Sequence, residues 1–313
     1  MAMTVREIGG VRIAAICACI PGKSVPNDEK VAKATGIAFR RIAETGVHAV
    51  DLCVKAAERV MADTNTRPSE IGAVISVSFT QRDRMPCSAA QAQKLLGLPN
   101  DIMAFDVMLA CSGWGYGLFI AGMLARQFGK KVLLLDGDVQ SEFVDRGDPS
   151  VVPVLADGGS ATLVVPDSDA DSSWCFAFAA HGEKGDALRL EHGGSIRMNG
   201  FEVFRFVATD VAKFIREFIA ATCVDVNKVD FFVPHQANVF MVGQLAKAVG
   251  FKDGRTLVSC DRIGNLSSAS IPVTIAWHKA AGKVLFSGFG GGLSISAGVI
   301  GIARDCCCSV VEV

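Results

Sequence analysis

The chain has 313 residues, with 31 Lys and Arg against 32 Asp and Glu; half its residues are apolar and a fifth are charged. That is the balance of a globular protein whose core needs no metal or disulfide staple, and it gives no support to disorder or to a strongly basic nucleic-acid face. No apolar run reaches the roughly 18 residues of a transmembrane helix, and the stretch after Arg6 and Glu7 reads as a buried strand rather than a signal peptide. The eleven cysteines are odd in number and contain no CxxC pair, and neither Cys17 with Cys19 nor the Cys306, Cys307, Cys308 run has a second ligand cluster at zinc-like spacing. They read as small buried thiols in a reducing compartment, and the sequence predicts a soluble cytoplasmic protein without a metal site.

Strand and helix patterns alternate along the whole chain. A strand at 11–16 precedes a helix at 48–62, a strand at 73–79 a helix at 89–96, and a strand at 102–107 an apolar helix at 112–128. Strands at 132–135, 161–165 and 175–179 lead to a helix at 202–223. A strand at 230–233, helices at 239–249 and 267–281, and strands at 284–287 and 293–302 complete the order. Several strands are apolar throughout, which fits sheets covered on both faces in an α/β layered protein. A strand, a short motif and an apolar helix recur near 104–128 and 230–249, and a strand–Gly–strand signal closes each half, at 157–165 and 288–300. These recurrences suggest two similar halves, 1–166 and 167–313.

Three places can carry chemistry. Cys111, in the run Ala110-Cys111-Ser112-Gly113-Trp114-Gly115, follows a strand and opens a helix. Unpaired N–H groups and the positive end of the helix dipole there favour the nucleophilic thiolate. His235, in Val233-Pro234-His235-Gln236-Ala237-Asn238, lies at a strand end, where sites of α/β sheets gather. Asn265 stands in a Gly-Asn turn before a helix rich in Ser and Ala. Singly, each has a structural explanation: a buried thiol, a satisfied core histidine, a helix cap. Together, a Cys, a His and an Asn at three strand-to-helix junctions suit nucleophilic acyl chemistry, with the glycines at 290–292 offering backbone N–H groups to an acyl oxygen.

The motifs ACSGWG, VPHQAN, GNLSSASIP and GFGGG, in this order, resemble the β-ketoacyl-acyl-carrier-protein synthase III family of condensing enzymes. So do the stretches at 35–44, 85–97, 155–164 and 198–214, and the resemblance spans nearly the whole chain. It implies a thiolase-like five-layer αβαβα fold from two halves, 1–166 with the nucleophile and 167–313 with the His and Asn, assembled as a homodimer. It implies an acyltransferase that loads an acyl-CoA starter and condenses it with malonyl-acyl carrier protein or malonyl-CoA, in fatty-acid or related biosynthesis and without a cofactor. Cys111 would be the acylated nucleophile, His235 and Asn265 the pair assisting malonyl decarboxylation, and Gly291 with the Cys111 amide the oxyanion hole. Phe289 would flank the malonyl carboxylate, and Phe204 and Asn238 the substrate path.

The departures fall at the entrance. Lys30 and Ala34 stand where the family has the Trp and Arg near the CoA adenine, leaving Arg146 as a remaining partner. Phe240 replaces an entrance arginine, while Arg205 and Lys247 keep basic positions that would receive the carrier protein. Met85 would approach the partner subunit's acyl tunnel, and Arg84 beside it could pair with a carboxylated starter such as a glutaryl thioester. A quinolone- or polyketide-type synthase and a Cys-dependent thioester hydrolase are the remaining alternatives.

Overall fold

A computed structural model describes residues 3–168, 173–252 and 254–313. Two sheets carry the fold. One has six strands in the order Cys307–Glu312, Val11–Ile20, Asp157–Pro166, Lys131–Val139, Ile71–Val77 and Met103–Val107. The other has five, in the order Arg6–Ile8, Trp174–Ala180, Ser294–Ile302, Gly282–Gly290 and Phe231–Pro234.

Period-2 alternation explains the layering. In Lys131–Val139, Val132 and Leu134 enter the central core, while Leu133 and Leu135 enter an outer one. Such a strand must be apolar on both faces, which is why the alternating polar pattern is missing from the sequence. The helices Gly113–Phe128 and Ser270–His278 lie between the sheets. Ala49–Asp63 and Ser88–Leu95 cover the outside of the six-stranded sheet. Ala212–Ala221 and Val239–Ala248 cover the outside of the five-stranded one. The result is the five-layer αβαβα arrangement.

The sheets do not divide the chain at residue 166. Arg6–Ile8 pairs with Trp174–Ala180 in the second sheet, and Cys307–Glu312 runs parallel to Val11–Ile20 in the first. Val11–Ile20 is buried along nearly its whole length, so its outer edge needs a partner, and the last strand supplies it. The Cys306–Cys308 run, for which the sequence indicates no role, thus contributes Cys307 and Cys308 to an edge strand. The helix expected at 202–223 is Gly200–Phe206, a widened π turn at Val207–Val211, then Ala212–Ala221. The helix expected from 267 begins as the 3₁₀ turn Ser267–Ala269. Among the described residues, no group of three or more His, Cys, Asp or Glu could hold a metal ion, and no helix is long and apolar enough to cross a membrane.

Candidate active site

Cys111 sits just ahead of the central helix Gly113–Phe128. The helix enters between the sheets because two glycines of its first turn carry no side chain: a Cβ on Gly113 would strike Val77 of one sheet, and one on Gly115 would strike Ser296 of the other. Trp114, fully buried, locks that turn by donating Nε1–H to Thr162 Oγ1 at 3.2 Å and meeting Phe286 edge-on. The Cys111 thiol is buried, and burial pushes its pKa from 9.0 up to about 12; the negative charge of Asp138 adds to the rise and the Ser267 hydroxyl opposes it. The sequence predicts the opposite direction. A helix dipole contributes at most about 2 kcal/mol, roughly 1.5 pKa units, and here desolvation outweighs it.

His235 follows the strand Phe231–Pro234 and donates its backbone N–H to Ser287 O at 2.7 Å. Its ring lies edge-on to Phe289, with centroids 5.3 Å apart. Burial lowers its pKa from 6.5 to about 3, against a smaller opposing effect of the Ser267 backbone, so the imidazole is neutral at physiological pH. One of its nitrogens, Nδ1, is buried without a hydrogen-bond partner.

Asn265 is fixed by its backbone. Its N–H donates to Val154 O at 3.0 Å, and its carbonyl accepts from Ala156 N at 3.0 Å and Gln140 Nε2 at 2.8 Å. Its side chain does not cap the helix Ser270–His278. Instead Oδ1 accepts the Ser267 N–H at 2.9 Å, which leaves the amide NH₂ as the donor end for the cavity.

These three residues share the wall of one cavity of about 520 Å³ with Phe289 and the glycines 290–292. The rest of the wall is mainly apolar. A small hairpin, Leu188–Leu190 with Ile196–Met198, contributes Leu188, Leu190, Ile196 and Met198, and packs on Val151 and Leu155. This hairpin was not legible in the sequence, because two three-residue strands leave no periodic pattern.

The other predicted residues divide. Gly291 lines the cavity, but it is Gly290 that approaches the nucleophile: a Cβ there would lie 3.0 Å from Cys111 Sγ. Asn238 lines the cavity while its Oδ1 accepts the Met241 N–H at 2.8 Å, capping Val239–Ala248. Phe204 is not on the cavity wall. Helical spacing turns Val203, Phe206 and Val207 inward, and Phe204 stacks at the surface on Phe240, with centroids 6.2 Å apart. Arg146 is exposed in a turn closed by the Asp145 side chain on Gly147 N–H, and Arg84 and Met85 are exposed, Met85 to 87%. All three lie off the wall that one chain builds, because each is on a surface loop. Arg205 is paired with Glu202 and belongs to a neighbouring polar cleft; Lys247 is exposed near the end of Val239–Ala248.

Two buried acids behind the site carry no sequence signal. Asp138 and Asp136 lie on the strand Lys131–Val139, both fully buried. Asp138 Oδ1 accepts from Ser78 Oγ, Phe79 N, Thr80 N and Thr80 Oγ1, and its Oδ2 accepts from Ser268 Oγ at 3.0 Å. Burial still raises its pKa above 3.8. Neither carboxyl oxygen of Asp136 has a partner, and burial raises that pKa well above 3.8.

Comparison with known proteins agrees with this geometry. Residues 105–182 match the family described as 3-oxoacyl-[acyl-carrier-protein] synthase III, and residues 219–302 match its C-terminal region. A β-ketoacyl-[acyl-carrier-protein] synthase III of Sphingopyxis alaskensis is 31% identical over 290 residues, covering 88% of this chain and 90% of that protein. The crystal structure of a 3-oxoacyl-(acyl-carrier protein) synthase from Burkholderia xenovorans superposes with a TM-score of 0.95 at 30% identity, covering 100% of this chain and 99% of that one. The priming β-ketosynthase of the R1128 polyketide pathway superposes at 0.85 with 26% identity, covering 97% and 99%. From two sheets closing on one sulfur to the matched sequence on either side of it, the chain belongs to the β-ketoacyl-acyl-carrier-protein synthase III family of condensing acyltransferases.

Proposed function

We propose that the chain loads an acyl group from a CoA thioester onto Cys111 and condenses it with a malonyl thioester held on CoA or acyl carrier protein. In the first half, Cys111 Sγ forms a bond to the acyl carbon and the donor thiolate leaves. In the second, the malonyl group loses CO₂, and its bonding pair becomes an enolate. Neutral His235 and the NH₂ of Asn265 donate hydrogen bonds to the enolate oxygen. The enolate carbon then attacks the Cys111 thioester. The backbone N–H groups of Cys111 and Gly291 receive the oxyanion, and its collapse frees the thiol and the β-ketoacyl product. The observation that carries this reading is that Cys111, His235 and Asn265 line one cavity, with Asn265 Oδ1 already occupied by the Ser267 N–H. The Asn265 NH₂ is thereby left as a donor, and neutral His235 donates from the one ring nitrogen that carries its proton.

The starter is an apolar acyl group, since Leu188, Leu190, Ile196, Met198 and Val151 line the cavity, and the one arginine among them, Arg189, is paired with Asp186 and Glu191. A carboxylated starter held by Arg84 would need the arginine of the partner subunit, because Arg84 stands on the surface, off the wall that one chain builds. We further propose a cytoplasmic homodimer, with the exposed Met85 at the partner's acyl tunnel.

Intact-mass measurement tests the reading. Apolar acyl-CoA should leave one acyl adduct, absent in Cys111→Ala, and malonyl thioester should discharge it with release of CO₂. Discharge by water alone would make the protein a hydrolase. Preferential loading by glutaryl-CoA, lost in Arg84→Ala, would overturn the apolar starter.

A further inference from the structure

Three buried serines join the segment that holds the nucleophile to the turn that carries Gly291. Ser112 precedes the helix Gly113–Phe128 at the position where a serine ordinarily caps, yet its side chain makes no capping bond to that helix. Its hydroxyl instead meets Ser294 Oγ, in the five-stranded sheet, at 2.7 Å. Ser294 Oγ also reaches Gly291 O at 2.9 Å, and Ser296 Oγ reaches Ser112 O at 2.9 Å. Ser112 and Ser296 are fully buried, and Ser294 is 4% exposed.

Proton counting gives each bond a direction. A backbone carbonyl only accepts, so Ser294 O–H donates to Gly291 O and Ser296 O–H donates to Ser112 O. A hydroxyl has one proton, and that of Ser294 is engaged by Gly291 O. Ser112 O–H is therefore the donor to Ser294 Oγ. The chain runs one way, from Ser112 through Ser294 to the Gly291 carbonyl.

The turn at its end is built from residues that do not hold themselves in place. Gly290 pairs with Ser294, so residues 291–293 form the turn of the hairpin between Gly282–Gly290 and Ser294–Ile302. Gly291 and Gly292 give that turn wide conformational freedom. At its far end Leu293 O accepts the His181 N–H at 2.7 Å; at its near end Ser294 holds Gly291 O. Strand pairing fixes the backbone before Gly291 and the held carbonyl fixes it after, so the Gly291 N–H has a set direction.

We propose that Ser112 and Ser294 are positioning residues for the oxyanion hole, an assignment that rests on the reading that the Cys111 and Gly291 N–H groups receive the oxyanion. Ser112 is joined covalently to Cys111, whose N–H is one donor. Ser294 holds the carbonyl of Gly291, whose N–H is the other. The hydroxyl chain between them sets the separation of the two donors before any charge develops, and donors fixed in advance lose nothing to reorientation during the reaction.

Two reactions of the same sulfur test this. Acylation by an apolar acyl-CoA builds an oxyanion; alkylation by iodoacetamide displaces iodide at a saturated carbon and builds none. Ser294→Ala removes the hold on Gly291 O, and Ser112→Ala leaves Ser294 without its anchor. Each should slow single-turnover acylation, followed by intact mass, on the order of 10- to 100-fold, with iodoacetamide alkylation of Cys111 within about twofold of wild type. Because Ser112 acts through Ser294, the double variant should be no slower than the slower single one. If one single variant fails to fold, the other decides. Acylation at the wild-type rate in either variant, equal slowing of both reactions, or multiplied losses in the double variant would overturn the proposal. So would failure of both single variants to fold, which would make the serines purely structural. A wild-type protein that is alkylated at Cys111 but takes no acyl adduct would instead remove the mechanism beneath it.

Discussion

Gly290 backs directly onto Cys111: a Cβ there would stand 2.8 Å from the Cys111 Cβ and 3.0 Å from its Sγ. Any side chain must therefore push the nucleophile out of place. Overpacking of this kind costs about 1–3 kcal/mol. The variant Gly290→Ala should fold, with a lowered Tm, and should acylate at least about tenfold more slowly, since about 1.4 kcal/mol of misplacement in the transition state suffices for that. Adduct formation at the wild-type rate would show that the close approach is dispensable.

The neutrality of His235 has a pH signature. Its folded pKa of about 3 lies below the ordinary 6.5. Above 6.5 both folded and unfolded states are neutral there. Below it the unfolded chain takes up a proton that the folded one refuses, so stability falls as pH drops from about 6.5 towards about 3, by up to about 1.4 kcal/mol per pH unit. Urea titrations at about pH 7 and pH 4.5 should show a smaller loss for His235→Gln than for wild type. Equal losses would mean that the ring is already protonated in the native protein.

Asp136 works in the other direction. Its folded pKa is raised, so the folded state prefers the neutral acid, and its contribution declines as pH rises from 3.8 through the folded value. At neutral pH the unfolded chain gains by ionising it. Replacing Asp136 with Val removes two unpartnered oxygens from the core and should raise stability by about 1–3 kcal/mol. That gain should shrink as the pH is lowered towards 4. A destabilised variant at every pH would show that the carboxyl has a partner in solution.

Trp114 ties the nucleophile's helix to both sheets. Trp114→Ala should lower stability by about 3–5 kcal/mol, seen as a fall in the denaturant midpoint. A loss under about 1 kcal/mol would mean that the first helical turn is held by the backbone alone.

What could be read from the residues follows what is local. The runs around Leu133 and Ile75 are apolar on both faces, so buried strands were visible there, and so were the three junctions that hold Cys111, His235 and Asn265. The direction of the Cys111 pKa differs from the expectation because a helix end is local, while its burial involves Gly288 and Gly290, far away in sequence. Ser267 stood in a quoted motif, but its positive φ and its contact with Cys111 depend on a tertiary path that no pattern encodes. Phe204 failed as a cavity residue because a motif match does not say which way a helix is turned.

The exchange of terminal strands constrains the order in which the molecule can assemble. Five of the six strands in the larger sheet are complete by residue 166, yet the neighbour of Val11–Ile20 is Cys307–Glu312. A ribosome emitting this chain would expose the open flank of Val11–Ile20 until the final segment emerged. Contacts so distant along the chain form late and slowly. Deleting residues 307–312 would leave that edge of the larger sheet unpaired.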